Sequence, residues 1–300
     1  MGPRSHVCAN CEGFTAVEGR PLNRFLGMMM QSAAGIPVDG FSYGLITPVA
    51  AYLVACLGSA LGLRCTARAL TLRRSERAGW LFLGSLAIGT GIFTMHFLAM
   101  MGFTARDMEI QYDLLTTYAS LAVAVVVVGI GVFLVGYKGR TTAALLGGGV
   151  VTGIGVAAMH YMGMASMRMP GSIEYDVKVV LLSVGIAVFA ATAALWFSMS
   201  VKLFGAALGA ALIMGVAVSG MHYTAMQAVT VHMHAGGAEG GGTSAISTLT
   251  PILIGPVLLL LFVGLFVSLD PMMERDGKRE WGTRPGEGSG EKLEWTPFER

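Results

Sequence analysis

Around His160 the chain reads AAMHYMGMASMRMP from Ala157 to Pro170, one histidine among five methionines in an apolar run. The arrangement recurs around His96 (GTGIFTMHFLAMMGF) and His222 (GVAVSGMHYTAMQAV). The shared string is M-H-[FY]-x-[AG]-M, with a glycine seven residues before each histidine at Gly89, Gly153 and Gly215. Residues four apart on a helix share a face, so His96 stands with Met100, His160 with Met164 and His222 with Met226. The preceding methionines, Met95, Met159 and Met221, point about 100° away and border the same side. Each copy therefore offers an imidazole nitrogen and a thioether sulfur one turn apart. Thioether sulfur is a soft ligand, and together with neutral imidazole it selects copper, Cu(I) above all.

A single such string would read as a core histidine bonded to a carbonyl, with methionine filling gaps. Three in register read differently. An ionisable side chain inside a membrane span is expensive and marks a functional site, and the flanking segments have diverged within this chain while the triplet has not. Helices pack about 8–10 Å apart, so three rings at one depth should bring their nitrogens within about 4–8 Å of a common centre. Two facing histidines are also the axial pair of a b-type haem. Bulky methionine and aromatic residues where a porphyrin needs a slot make haem the lesser expectation. Met101, Met167 and Met169 read either as a route for copper or as core filler. His232 and His234 (VHMHAGG) read as a capture point or as solvated loop histidines.

The elements that must position these residues are helices of membrane length. Of 300 residues, 54% are hydrophobic and 13% charged, with a mean hydropathy of +0.66, whereas soluble domains carry about 25% charged residues. Seven runs approach the ~20 apolar residues that a span requires: 43–63, 80–101, 114–136, 143–167, 179–199, 205–229 and 249–269. None contains Asp, Glu, Lys or Arg. The expected fold is an all-α, polytopic membrane protein surrounded by lipid, with no sign of a nucleic-acid partner. Arg64, Arg68, Arg73, Arg74 and Arg77 crowd the first loop, Lys138, Arg140 and Lys202 follow on the same side, and six more cations lie in the tail. The positive-inside rule then puts the N-terminus outside, the C-terminus in the cytoplasm, and Trp80 and Trp196 at inner helix ends.

The motifs occupy the outer halves of the second, fourth and sixth spans, which suggests one leading helix followed by three helical hairpins. The Gly, Ala and Met content of these spans suits an inner layer, and the β-branched run Leu121–Val135 of the third suits lipid. Asp113 and Asp176 close the strings IQYD and IEYD and read as helix N-caps. Residues 1–42 form a leader unlike a signal peptide; Met28-Met29-Met30 suggests a start there. The leader holds His6, Cys8 and Cys11, three of the four ligands a closed soft-metal site wants. Cys56 and Cys65 read as free thiols, and residues 270–300 as a disordered cytoplasmic tail.

Met221-His222-Tyr223-Thr224, with the variants Met159-His160-Tyr161-Met162 and Met95-His96-Phe97-Leu98, resembles the MHYT domain, a bacterial membrane sensor module. The likeness covers about residues 40–270. It implies seven helices in the bacterial inner membrane and a copper site near the outer face that detects oxygen, carbon monoxide or nitric oxide. Many members carry fused cyclase or phosphodiesterase domains. None follows here, so signalling is expected to pass to a separate partner. Phe97 in place of tyrosine means that hydroxyl is not required of every copy. Copper transport or delivery is the alternative function. The spans hold no acid or base besides the histidines and no second cofactor signature, so an enzyme is not expected.

Overall fold

The computed structural model describes residues 38–39, 44–105, 110–169, 171–200, 204–233 and 245–269. The leader with His6, Cys8 and Cys11, the tail from residue 270, and His234 lie outside the described residues. Seven helices carry the chain: α1 (Ile46–Thr71), α2 (Arg77–Met100), α3 (Leu114–Lys138), α4 (Thr142–Ala165), α5 (Val177–Ser200), α6 (Phe204–Met226) and α7 (Ala245–Ser268). All seven are long and apolar enough to cross a bilayer, and the protein is a multi-pass membrane protein. α1 runs past the expected end at residue 63 to Thr71, because nothing breaks the helix where the apolar stretch stops. Its last turns carry Arg64 and Arg68, and the Arg68 guanidinium lies 5.8 Å over the ring of Trp80, so the charge clings to an interfacial aromatic.

The described residues are not helical throughout. Six short strands cap the histidine end of the bundle: β1 (Val38–Asp39), β2 (Thr104–Ala105), β3 (Gln111–Tyr112), β4 (Met167–Arg168), β5 (Gly171–Tyr175) and β6 (Val229–Met233). They pair antiparallel as β1–β2, β3–β4 and β5–β6. The pairing groups the helices in a phase one helix earlier than the expected hairpins. Each ribbon joins the entry to one helix with the exit from the next, so the unit is strand–helix–helix–strand. α1–α2, α3–α4 and α5–α6 are the three copies, and α7 trails them.

The six repeat helices close into a ring in chain order, with α6 returning against α1, while α7 packs outside on α2 and α1 rather than beside α6. Glycines set the seams. At the motif glycines a Cβ would meet the neighbouring helix: Gly89 faces Val125 Cα of α3 at 2.7 Å, Gly153 faces the Val188 backbone of α5, and Gly215 faces the Cys56 sulfur of α1. Val125, Val188 and Cys56 are equivalent positions, so α1 takes towards α6 the place that α3 and α5 take towards α2 and α4. α3 is no plain lipid helix, since Ala124, Val128, Val132 and Val135 form a buried stripe while Val126 and Ile130 stay exposed. In α7, Pro256 cannot donate to the Ile252 carbonyl, and the Tyr118 hydroxyl of α3 approaches that oxygen at 3.4 Å.

Both expected caps form. The Asp113 carboxylate accepts from the Thr116 amide at 2.9 Å and hydroxyl at 2.6 Å, with Arg168 at 3.7 Å. Asp176 accepts from the Lys178 amide at 2.8 Å. The Thr116 bonds, with Arg168 beside them, hold the Asp113 carboxyl below its ordinary range. A depressed carboxylate stabilises the fold above its unfolded pKa and loses that contribution as pH falls through the folded value. Asp113→Asn is therefore expected to melt below wild type at neutral pH. The gap should close below about pH 4, and metal content should be unchanged; thermal unfolding across pH, with metal analysis, checks both.

Candidate metal centre

α2, α4 and α6 bring His96, His160 and His222 to one depth on the bundle axis, each 1% exposed. Their Nδ1 atoms face one another: His96 to His222 at 3.1 Å, His160 to His96 at 3.1 Å, and His222 to His160 at 3.3 Å. The rings meet edge to face, with centroids 4.8 to 5.1 Å apart. Such closeness has a definite electrostatic consequence. A neutral imidazole nitrogen either donates or accepts, never both. Around a ring of three, donors and acceptors cannot alternate, so at least one contact sets lone pair against lone pair or proton against proton. A cation at the centre removes the conflict. A triangle of these edges has its centre about 1.8 Å from each corner, slightly inside the about 2.0–2.1 Å of a metal–imidazole bond. The three histidines therefore suit a metal ion, the only cluster of its kind among the described residues.

The aromatic residue after each histidine walls this centre. Phe97, Tyr161 and Tyr223 stand edge-on to their own histidines, with centroids 4.7, 5.0 and 4.9 Å away. The Tyr161 hydroxyl goes elsewhere, pairing with Ser183 of α5 at 2.8 Å. Phe97 supplies the same wall without one. His96 Nε2 and His160 Nε2 are buried with no hydrogen-bond partner, and a Cβ on Gly163 would collide with His96 Nε2. That clash explains why the second motif has glycine where the others have Ala99 and Ala225.

The methionines divide. Met100 and Met164 are buried one turn beyond the histidines, and Met226 packs against the same apolar layer. Met95 is packed with Ala51 and Ala55 of α1, whereas Met159 and Met221 lie in the main core of the bundle. The structure thus brings the three histidines together and sets the methionines in flanking layers. Met101, Met167 and Met169 pack into the layer under the ribbons, which is the role of core filler rather than an open route. His232 pairs with Glu174 at 3.1 Å across β5–β6, away from the three buried rings. Cys56 and Cys65 are free and buried.

Sequence reasoning missed Gly163; its signal was the one glycine among the [AG] positions. A Cβ there would push the His96 ring off the axis. Gly163→Ala is expected to weaken Cu(I) binding by roughly 10–100-fold, the range for groups that orient a ligand. Ala99→Gly at the equivalent position should leave it unchanged, and competition titration of the purified protein checks both.

The family described as the bacterial signalling protein N terminal repeat, MHYT, matches residues 89–148 and 153–211. Both segments begin at a motif glycine. The chain is 35% identical over 240 residues, 78% of its length, to the bifunctional diguanylate cyclase/cyclic di-GMP phosphodiesterase MucR of Pseudomonas aeruginosa, and covers 35% of that protein. It is 32% identical over 245 residues to the cyclic di-GMP phosphodiesterase NbdA of the same organism, covering 78% of this chain and 30% of the relative. To the signaling protein YkoW of Bacillus subtilis it is 32% identical over 188 residues, 60% of this chain and 23% of the relative. The chain thus spans about a third or less of the length of these relatives. No solved structure matches it. With three M-H-[FY]-x-[AG]-M strings converging on one centre and relatives aligned over the same region, the chain is an MHYT domain protein.

Proposed function

We propose that this protein is a membrane sensor in which His96, His160 and His222 hold copper, read a diatomic ligand (oxygen, carbon monoxide or nitric oxide) and pass the signal to a separate partner. The observation that carries the reading is the ring of three Nδ1 atoms 3.1 to 3.3 Å apart, which neutral imidazoles alone cannot satisfy. Copper is favoured over zinc because the layer beyond the rings holds Met100, Met164 and Met226, soft donors with no carboxylate or thiolate among them. Bound there, copper supplies an open coordination position in a dry site. The chain's own part is to fix three nitrogens, exclude water with Phe97, Tyr161 and Tyr223, and couple ligand state to helix packing. That coupling requires different affinities for two helix arrangements.

The multi-pass fold and the bacterial relatives support placement in the inner membrane. The cations on the α1–α2, α3–α4 and α5–α6 connections support a cytoplasmic arginine end, with the histidines near the outer face. Transport is less well supported, because the turns below the histidines offer Ile92, Val156 and Val218 where a path needs ligands. Haem is less well supported because rings 4.8 to 5.1 Å apart leave no slot for a porphyrin between them.

Metal analysis with an absorption spectrum of the purified protein tests the reading. One copper per chain is expected, and a Soret band or a protein that takes up no metal would sink it. Alanine at any one of the three histidines should remove most of the metal, since a three-nitrogen site rarely survives loss of a ligand. A reporter fused after Arg300 should be active only in the cytoplasm.

A further inference from the structure

Below the histidines lies a cavity of about 50 Å³, reached by all six repeat helices. Much of its lining is threefold. Ile92, Val156 and Val218 stand one turn below the three histidines, Ile88, Thr152 and Met214 one turn lower, and Ser59, Val128 and Ala191 face them from α1, α3 and α5. The remaining lining breaks the symmetry, because Ala187, Ala190, Ala194, Ala217 and Met221 all belong to the third unit.

The cause is the packing of equivalent positions. In the first unit Gly58 meets Gly91, and a Cβ on either would stand 2.8 Å from the other's Cα. In the second, Val127 fills the space over Gly155, and the Thr152 hydroxyl lies against Gly131. In the third, these pairs become Ala190 with Ala217 and Ala194 with Met214. Alanine prevents the backbone approach that glycine allows, and it lacks the bulk with which valine fills the gap. The α5–α6 seam is left under-packed. Of the lining, Ala190, Ala194, Ala217 and Val218 are half-buried, as is Ile88 of α2, which makes the α5–α6 wall the least enclosed side of the cavity.

We propose that this cavity binds a small neutral apolar molecule of diatomic size, admitted laterally from the bilayer between α5 and α6. Room for one water begins at about 10–15 Å³, so space is sufficient. Water is a poor occupant, since it wants two to four polar partners and the Thr152 hydroxyl is turned to α3, leaving Ser59. Apolar solutes leave water for hydrocarbon, which makes the bilayer the richer source. That the natural occupant is the sensed diatomic rests on the function proposed above; the capacity to hold an apolar molecule does not.

Xenon is the probe, applied under pressure to the metal-free protein and followed by xenon NMR. One saturable site per chain is expected. It should be lost in the double variant A190V/A191V, which gives α5 the residues α3 carries at Val127 and Val128, and strengthened in Val128→Ala, which enlarges the space. Copper uptake should be unchanged in both. No saturable xenon uptake by the wild type overturns the proposal, as does a site that survives the double variant. If the double variant does not fold, Val128→Ala decides, and unchanged xenon affinity overturns it. Xenon uptake by a protein that never takes copper leaves the cavity standing and removes the sensing reading; copper uptake without xenon does the reverse.

Discussion

Three imidazole nitrogens at mutual distances of 3.1 to 3.3 Å are the constraint on which the rest of the fold depends. Such a ring forms only if three helices deliver a histidine to the same depth and the same side. The near-equal spacing of the motifs provides the depth. The helix ends are fixed by local devices: the ribbons at the histidine end, the Asp113 and Asp176 caps, and Arg77, which bonds the Gly136 carbonyl of α3 at 3.0 Å at the other end. The backbone amides of Asp113 and Asp176 donate to the Ser166 and Ala228 carbonyls, each at 2.9 Å, tying each helix start to the exit of its partner six residues past the histidine.

A hydrophobic effect among lipid tails cannot drive helices together, so close packing must. Here the seams between units run through glycines seven residues before each histidine, two turns from the ring they help position. The α6–α1 seam uses the Cys56 side chain where the others use valine. Substitutions with side chains at these glycines would act on the histidines through helix separation, with no contact to the rings themselves.

The histidine cluster was largely legible from the sequence, because a histidine stands out against an apolar span and its helix face follows from spacing alone. The methionines were less legible. Spacing gives the angle around a helix but not which neighbour fills that direction, so Met95 faces α1 while Met159 and Met221 enter the main core. The strand-paired grouping, which starts one helix before each motif, was hidden for a definite reason. IQYD and IEYD announce α3 and α5, but before α1 the chain reads FSYG, with Gly44 at a left-handed φ of 62° where the other two have a capping aspartate. Ribbons of two to five residues give no periodic signal. The β-branched run of α3 hid its buried stripe because both faces are equally apolar.

The trailing helix changes the parity of the chain. Three strand–helix–helix–strand units each return to the ribbon end, so the array by itself would deliver the polypeptide to the side from which it came. α7 begins beside Phe93 and Phe97 near the histidines, through Leu249, Ile252 and Leu253, and ends beside Cys65 and Trp80, through Val263 and Val267. It touches the ring from outside and contributes nothing to the cavity lining. Its placement is that of an exit lane: it hands whatever follows it to the arginine side, along the flank of the helix that carries His96.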